Sequence, residues 1–142
     1  MTGAVATAQV EINASAQQVW AALTDPEQIA KYMMGARVQT DWRPGSSITW
    51  TGEYQGEPFE DKGEVLEFRP ARRIKVTHFS PLSGEPDEPS NYNTVTFDLT
   101  ESNGRTRVWL SQDNNATEEE ARHSARNWQM MLDGLKDLVE ES

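Results

Sequence analysis

Ala121, Ala125, Trp128, Leu132, Leu135 and Val139 recur at alternating spacings of four and three, with charged residues mostly on the opposite side. This is the apolar stripe of an amphipathic helix. Thr117 stands three places before Glu120, a capping-box spacing, and Glu118 to Glu120 put negative charge at the positive end of the helix dipole. A helix from about Thr117 to Glu140 is on the order of 35 Å long at 1.5 Å per residue, enough to lie across a whole sheet.

The rest of the chain supplies that sheet. Val5 to Ile12 reads as a strand, and Ser15 followed by Gln18 is a capping box at the head of a short helix whose apolar face is Val19, Trp20 and Leu23. Asp25-Pro26 restarts the chain as a second short helix, with Asp25 as N-cap, ending near Met33-Met34-Gly35. Six β-like runs follow, Ala36 to Asp41, Ser47 to Tyr54, Phe59 to Phe68, Arg72 to Phe79, Tyr92 to Thr100 and Thr106 to Gln112. Pro44-Gly45, Gln55-Gly56, Pro70 and Asn103-Gly104 separate them, along with a Pro-rich loop from Ser80 to Ser90 that reads as long and mobile. Such short links favour an antiparallel meander over parallel crossovers.

Period-two alternation puts Ile74, Val76 and His78 on one face, as it does Val95, Phe97 and Leu99, and Val108 and Leu110. These faces are expected to line the concave side. In Phe59 to Phe68 the alternation is muddled: Val65 and Glu67 share one face, Glu64, Leu66 and Phe68 the other, and the register stays open. The expected fold class is α+β, a curved antiparallel sheet wrapped around the long C-terminal helix with two short helices after the first strand.

The 142 residues suit one domain with one core. Mean hydropathy is low at -0.74, but five Trp, four Phe and three Tyr provide large surfaces to bury. A net charge of -10 opposes both nucleic-acid backbones and anionic membrane surfaces. No apolar run approaches the roughly 20 residues of a membrane span, and Met1 to Gln9 has no signal-peptide pattern, so neither membrane insertion nor export is expected. Together with the absence of cysteine, this points to the cytoplasm. Asn13-Ala14-Ser15 and Asn115-Ala116-Thr117 are then helix-start chemistry and not glycosylation sites.

The chain resembles the SRPBCC (START-like, Bet v 1-like) superfamily, and within it the bacterial proteins similar to the C-terminal domain of the activator of heat-shock-protein-90 ATPase. The likeness rests on Ile12-Asn13-Ala14-Ser15 leading to Val19-Trp20-Ala21-Ala22-Leu23-Thr24-Asp25-Pro26, on Asp41-Trp42-Arg43-Pro44-Gly45 and on Gly63-Glu64-Val65-Leu66-Glu67. It continues through Pro70-Ala71-Arg72-Arg73-Ile74, Thr77-His78-Phe79-Ser80 and Asn127-Trp128 to Leu135-Lys136. The resemblance implies a helix-grip fold holding a lipid, polyketide or flavonoid-like molecule between sheet and long helix. Some relatives catalyse cyclisation or dehydration there, and the chaperone-activator relatives use the domain against a protein partner. These motifs mark the scaffold, and no universal catalytic residue carries over.

With no Cys and only His78 and His123, without metal-ligand spacing, no metal or other cofactor is expected. Asp113, Asn115 and Thr117 mimic the start of a calcium loop, but Glu118 replaces its glycine and Ser124 its final glutamate, so a helix cap explains them better. Nucleophile-elbow, dinucleotide and phosphate-loop patterns are also lacking. His78, on the inner face, is either a general base or ligand partner or a structural histidine. Glu64 and Glu67 pose the same choice, with Arg72, Arg73 or Lys75 available as salt-bridge partners.

Trp50, Tyr54, His78, Phe97, Trp128 and Met131 are the expected lining of a ligand cavity, since aromatic and thioether groups accept flat apolar compounds. The alternative is that these side chains simply fill the core. The sequence therefore reads first as a monomeric, non-catalytic binder of a small hydrophobic or aromatic ligand. A cyclase or dehydratase using His78 and an inward Glu is the second reading. A chaperone-interaction module is the third, though one domain offers no second with which to grip a large protein partner.

Overall fold

Ser15 and Thr117 start helices as their spacing predicts. Ser15 Oγ accepts from the Gln18 N–H at 3.2 Å while Gln18 Oε1 accepts from the Ser15 N–H at 3.0 Å, closing the first capping box. Thr117 Oγ1 accepts from the Glu120 N–H at 3.0 Å, but Glu120 Oε2 turns back to the Ala116 N–H at 3.2 Å, so the reciprocal half of the second box is displaced by one residue. Asp25 caps the second helix through the Glu27 N–H at 3.1 Å, with Pro26 in the first turn.

The computed structural model describes residues 3–33, 35–81 and 84–141. In chain order its elements are β1 (Ala4–Ile12), α1 (Ala16–Thr24), α2 (Pro26–Tyr32), β2 (Arg37–Thr40), β3 (Ser47–Tyr54), β4 (Glu57–Arg69), β5 (Arg73–His78), β6 (Asn93–Ser102), β7 (Arg105–Asn115) and α3 (Glu118–Glu140). The strands form one seven-stranded sheet in the order β1-β7-β6-β5-β4-β3-β2, every neighbouring pair antiparallel. This is the expected meander, closed by β1 against β7. Gln55-Gly56 and Asn103-Gly104 turn the chain with φ of 52° and 83°, and 55° and 79°, the paired positive angles of a tight hairpin whose twist matches its strands. The loop after β5 contains a 3₁₀ turn at Pro89–Asn91 and is tied to the sheet. Asp87 pairs with Lys62 and accepts from the Tyr92 hydroxyl, and the Tyr92 ring stacks on Phe79.

The muddled alternation of β4 has a physical cause. Val65 faces Val76, but the next pair is Glu67 with Lys75, so Leu66 is an extra residue in a β-bulge. The phase flips across it: Val65 and Phe68 both meet the core, while Leu66 is exposed. Glu67 therefore lies on the convex face, where Arg69, Arg73 and Lys75 approach it at 3.3, 3.7 and 4.0 Å. Of the two roles open to it, Glu67 takes the salt bridge.

α3 packs along β1 and β7 and touches α1 and α2. Leu132 and Leu135 are fully buried beneath it. On its flank, polar side chains meet the free edge of β1. Gln129 Nε2 donates to the Gln9 carbonyl at 2.9 Å and Gln129 Oε1 accepts from the Gln9 N–H at 3.4 Å. Lys136 donates to the Glu11 carbonyl at 3.1 Å, and Glu140 accepts from the Asn13 N–H at 2.8 Å. The helix thus satisfies backbone groups that an open edge strand would offer to another chain.

Candidate functional site

Because α3 follows the β1 side of the sheet, it parts from the strands toward the β2 side, where α1 and α2 close the gap. A cavity of about 200 Å³ lies there. Its sheet wall includes Ile48 and Trp50 of β3, Ile74, Val76 and His78 of β5, and Phe97 of β6. Leu23, Ile29, Tyr32 and Met33 come from the short helices and their exit, and Trp128 and Met131 from α3. An apolar cavity of roughly 150 Å³ is enough to admit a benzene ring, so this one has room for about one or two fused rings.

Of the six residues expected at this site, Trp50, His78, Phe97, Trp128 and Met131 line the cavity. The Tyr54 side chain lies outside the described residues. Trp128 meets Phe97 edge to face, with ring centroids 6.1 Å apart, and its indole N–H donates to Gln112 Oε1. Gln112 is itself held by Asn115, a buried side chain that donates to the Ala4 and Gln112 carbonyls at 2.9 and 3.0 Å. Within this sequon Thr117 alone provides the expected helix-start chemistry, while Asn115 ties the end of β7 to β1. Asp113, its neighbour in the false calcium loop, accepts from the Thr94 N–H at 2.6 Å. Among the described residues no three His, Asp or Glu side chains converge as metal ligands.

His78 faces the cavity, but its acidic partner is neither Glu64 nor Glu67, and the expectation of an inward glutamate is corrected. Glu64 is exposed and Glu67 serves the convex face. The partner is Asp61, whose Oδ2 lies 2.8 Å from His78 Nε2. Counting back by two from Val65 through Gly63 reaches Asp61 and Phe59, both on the cavity wall. Asp61 also pairs across the ladder with Trp50, whose ring meets the His78 imidazole at 5.1 Å, edge on. Trp50, Asp61 and His78 thus form a row across β3, β4 and β5. Asp61 is not legible in the sequence because the bulge at Leu66 masks the face of β4.

Trp42 is a second lining residue that sequence reasoning missed. It sits in the β2–β3 connection at φ 56°, a conformation costly for a bulky side chain. Its N–H is held by Thr40 Oγ1 at 3.1 Å and its ring packs on Phe68, which in turn meets Trp20, with centroids 5.6 and 5.1 Å apart. Tyr32 lies at the opposite wall, its hydroxyl donating to the Ala22 carbonyl at 2.8 Å. Burial pushes its pKa far above the usual tyrosine value, so it stays neutral. The site is chemically an apolar chamber with one carboxylate–imidazole pair in its wall.

No helix among the described residues is long and apolar enough to cross a membrane. The sequence matches no protein of curated function. Solved structures do resemble it: ChR145 from Cytophaga hutchinsonii is 45% identical, with 99% of this chain and 97% of that one covered and a TM-score of 0.87. Aha1 from Colwellia psychrerythraea, solved as a dimer, is 21% identical with 96% of each chain covered and a TM-score of 0.73. DynU16, from the dynemicin biosynthetic locus, is 18% identical, with 96% of this chain and 47% of that one covered and a TM-score of 0.79. The family model described as "Activator of Hsp90 ATPase homolog 1-like protein" matches residues 13–140. With nine-tenths of its length matched and the helix-grip architecture present, the chain belongs to the Activator of Hsp90 ATPase homolog 1-like family, within the SRPBCC superfamily.

Proposed function

We propose that this protein binds a small flat apolar or aromatic compound in the cavity between α3 and the sheet, without turning it over. The observation that carries this reading is the apolar chamber of about 200 Å³ into which Trp50, Phe97, Trp128 and Met131 converge. Its volume favours a ligand of one or two rings over a long lipid chain or a large polyketide.

1,4-Naphthoquinone tests the reading, since it is flat, quenches tryptophan and has no thiol to alkylate in a chain without cysteine. Saturable quenching is expected, with Trp128→Ala weakening binding roughly three- to tenfold, the equivalent of the 0.5–1.5 kcal/mol of one aromatic pair. Linear, non-saturating quenching that is the same in both proteins would reject it.

The Asp61–His78 pair supports a second reading, an acid–base enzyme of cyclase or dehydratase type, because a carboxylate and an imidazole in contact on a cavity wall are the parts such chemistry uses. His78 Nε2 is engaged by Asp61, however, which suits a positioned polar contact as well as a base. The protein-partner reading draws less support: among the described residues the exposed large apolar side chains Val5, Leu66, Trp109 and Met130 fall on four different elements, β1, β4, β7 and α3.

A further inference from the structure

Three of the chain's five tryptophans, Trp42, Trp50 and Trp128, line the cavity, and among the described residues no lysine or arginine does. An indole carries negative charge density over its ring faces, and the one acidic side chain in the wall, Asp61, adds to it. The three indoles are not equivalent. Trp50 and Trp128 meet His78 and Phe97 edge to face, whereas Trp42 lies at 31° to Phe68 with centroids 5.6 Å apart, so that Phe68 backs one face of its ring. We infer that the opposite face of Trp42 is the platform on which the ligand stacks, so that the cavity selects neutral electron-poor rings of quinone, nitroaromatic or fluoroaromatic type. This inference rests on the ligand-binding reading above and specifies its chemistry.

Trp42 holds a left-handed backbone, φ 56°, that costs a bulky residue energy and persists only because its loop is pinned. Gly45 N–H donates to the Val65 carbonyl at 2.8 Å, the Ser46 carbonyl accepts from the Val65 N–H at 2.9 Å, and Ser46 Oγ accepts from the Arg43 N–H at 3.2 Å. Strain over-determined in this way is found where a side chain must be aimed, and here it aims an indole into the cavity wall. The ring is also ordered in advance, since Phe68 behind it rests on Trp20, so the ligand has little ordering to supply. A ring with a positive face is attracted face to face by an indole. An electron-rich ring is repelled in that arrangement and must shift or turn edge on, which a chamber of about 200 Å³ restricts. An ammonium would also be drawn to indole faces, but it would shed its hydration in an apolar chamber whose one carboxylate is engaged by His78.

The test uses benzene, 1,3,5-trifluorobenzene and hexafluorobenzene, a series in which the charge over the ring face passes from negative through near zero to positive with little change of shape. Each is titrated into the full chain by NMR, alongside tetramethylammonium. Hexafluorobenzene is expected to bind about three- to tenfold tighter than benzene, the range of one aromatic pair, with trifluorobenzene between them. In Trp42→Leu that preference should fall to within about twofold. If the variant does not fold, fluorine–proton Overhauser contacts between hexafluorobenzene and the Trp42 ring in the wild type decide: present, they support the platform, and absent, they overturn it. Equal affinities across the series, or the reverse order, would overturn the electron-poor class while leaving the cavity reading standing. A preference undiminished in Trp42→Leu would overturn the role of Trp42. Tighter binding of tetramethylammonium than of hexafluorobenzene would overturn the choice of a neutral ligand. Binding of none of the four would remove the cavity reading and the platform together.

Discussion

Gly63 of β4 and Thr77 of β5 are in backbone contact: a Cβ on Gly63 would lie 1.8 Å from the Thr77 carbonyl oxygen and 2.6 Å from its carbon. Two strands can cross this closely only where a side chain is absent. The contact sits between Asp61 and His78, next to the register shift at Leu66, and sets where those two side chains meet. Gly63→Ala is therefore expected to cost about 3 kcal/mol, the upper range for over-packing, seen as a lowered urea midpoint. An unchanged midpoint would mean that the strands separate at little cost.

Leu132 is fully buried where α3 crosses the sheet. Truncation to alanine is expected to destabilise the protein by about 2–5 kcal/mol, as buried leucine truncations do. A wild-type denaturation midpoint in Leu132→Ala would show that this face of α3 carries little of the core.

The parts of this molecule legible in its sequence are those whose signal is local. The stripe through Trp128 and Leu132, the caps at Ser15, Asp25 and Thr117, and the inward set Ile74, Val76 and His78 each follow from spacing within one element. What was not legible depends on how elements meet. The bulge at Leu66 reverses the faces of β4, so period two read across it contradicts itself and hides Asp61. The pairing of Asp61 with His78 needs the β4–β5 crossing at Gly63, and the left-handed Trp42 leaves no periodic trace at all.

Gln129 closes the edge of β1 through the backbone of Gln9. Gln129→Ala is expected to cost about 1 kcal/mol, the usual net value of such bonds. Its clearer effect should be faster hydrogen exchange at Gln9 and the neighbouring β1 amides, with β5 and β6 unaffected. Unchanged exchange at Gln9 would show that the side chain does not seal the edge.

Glu140 links α3 to the start of α1. The Asn13 N–H first, and then Lys136, hold its carboxyl below the ordinary glutamate pKa. Because the folded value is depressed, the stabilisation is present above the unfolded pKa of about 4.3 and is lost as pH falls through the lower folded value. Glu140→Gln should accordingly flatten the loss of stability between about pH 5 and pH 3 in denaturation curves. The effect should be modest, since the group is exposed to solvent. Identical pH profiles would contradict the link.

We propose that the space between α3 and the sheet is a ligand site and not merely imperfect packing. Methyl-detected NMR with 2-naphthol measures this most directly, because Ile48, Ile74, Val76, Val95 and Met131 all present methyl groups to the cavity. The expected result is saturable shift changes at these methyls with nuclear Overhauser contacts to the ligand ring protons, absent from exposed Met130. Shifts confined to the outer cleft beside Pro58 and Pro81, or no contacts at ligand saturation, would contradict it.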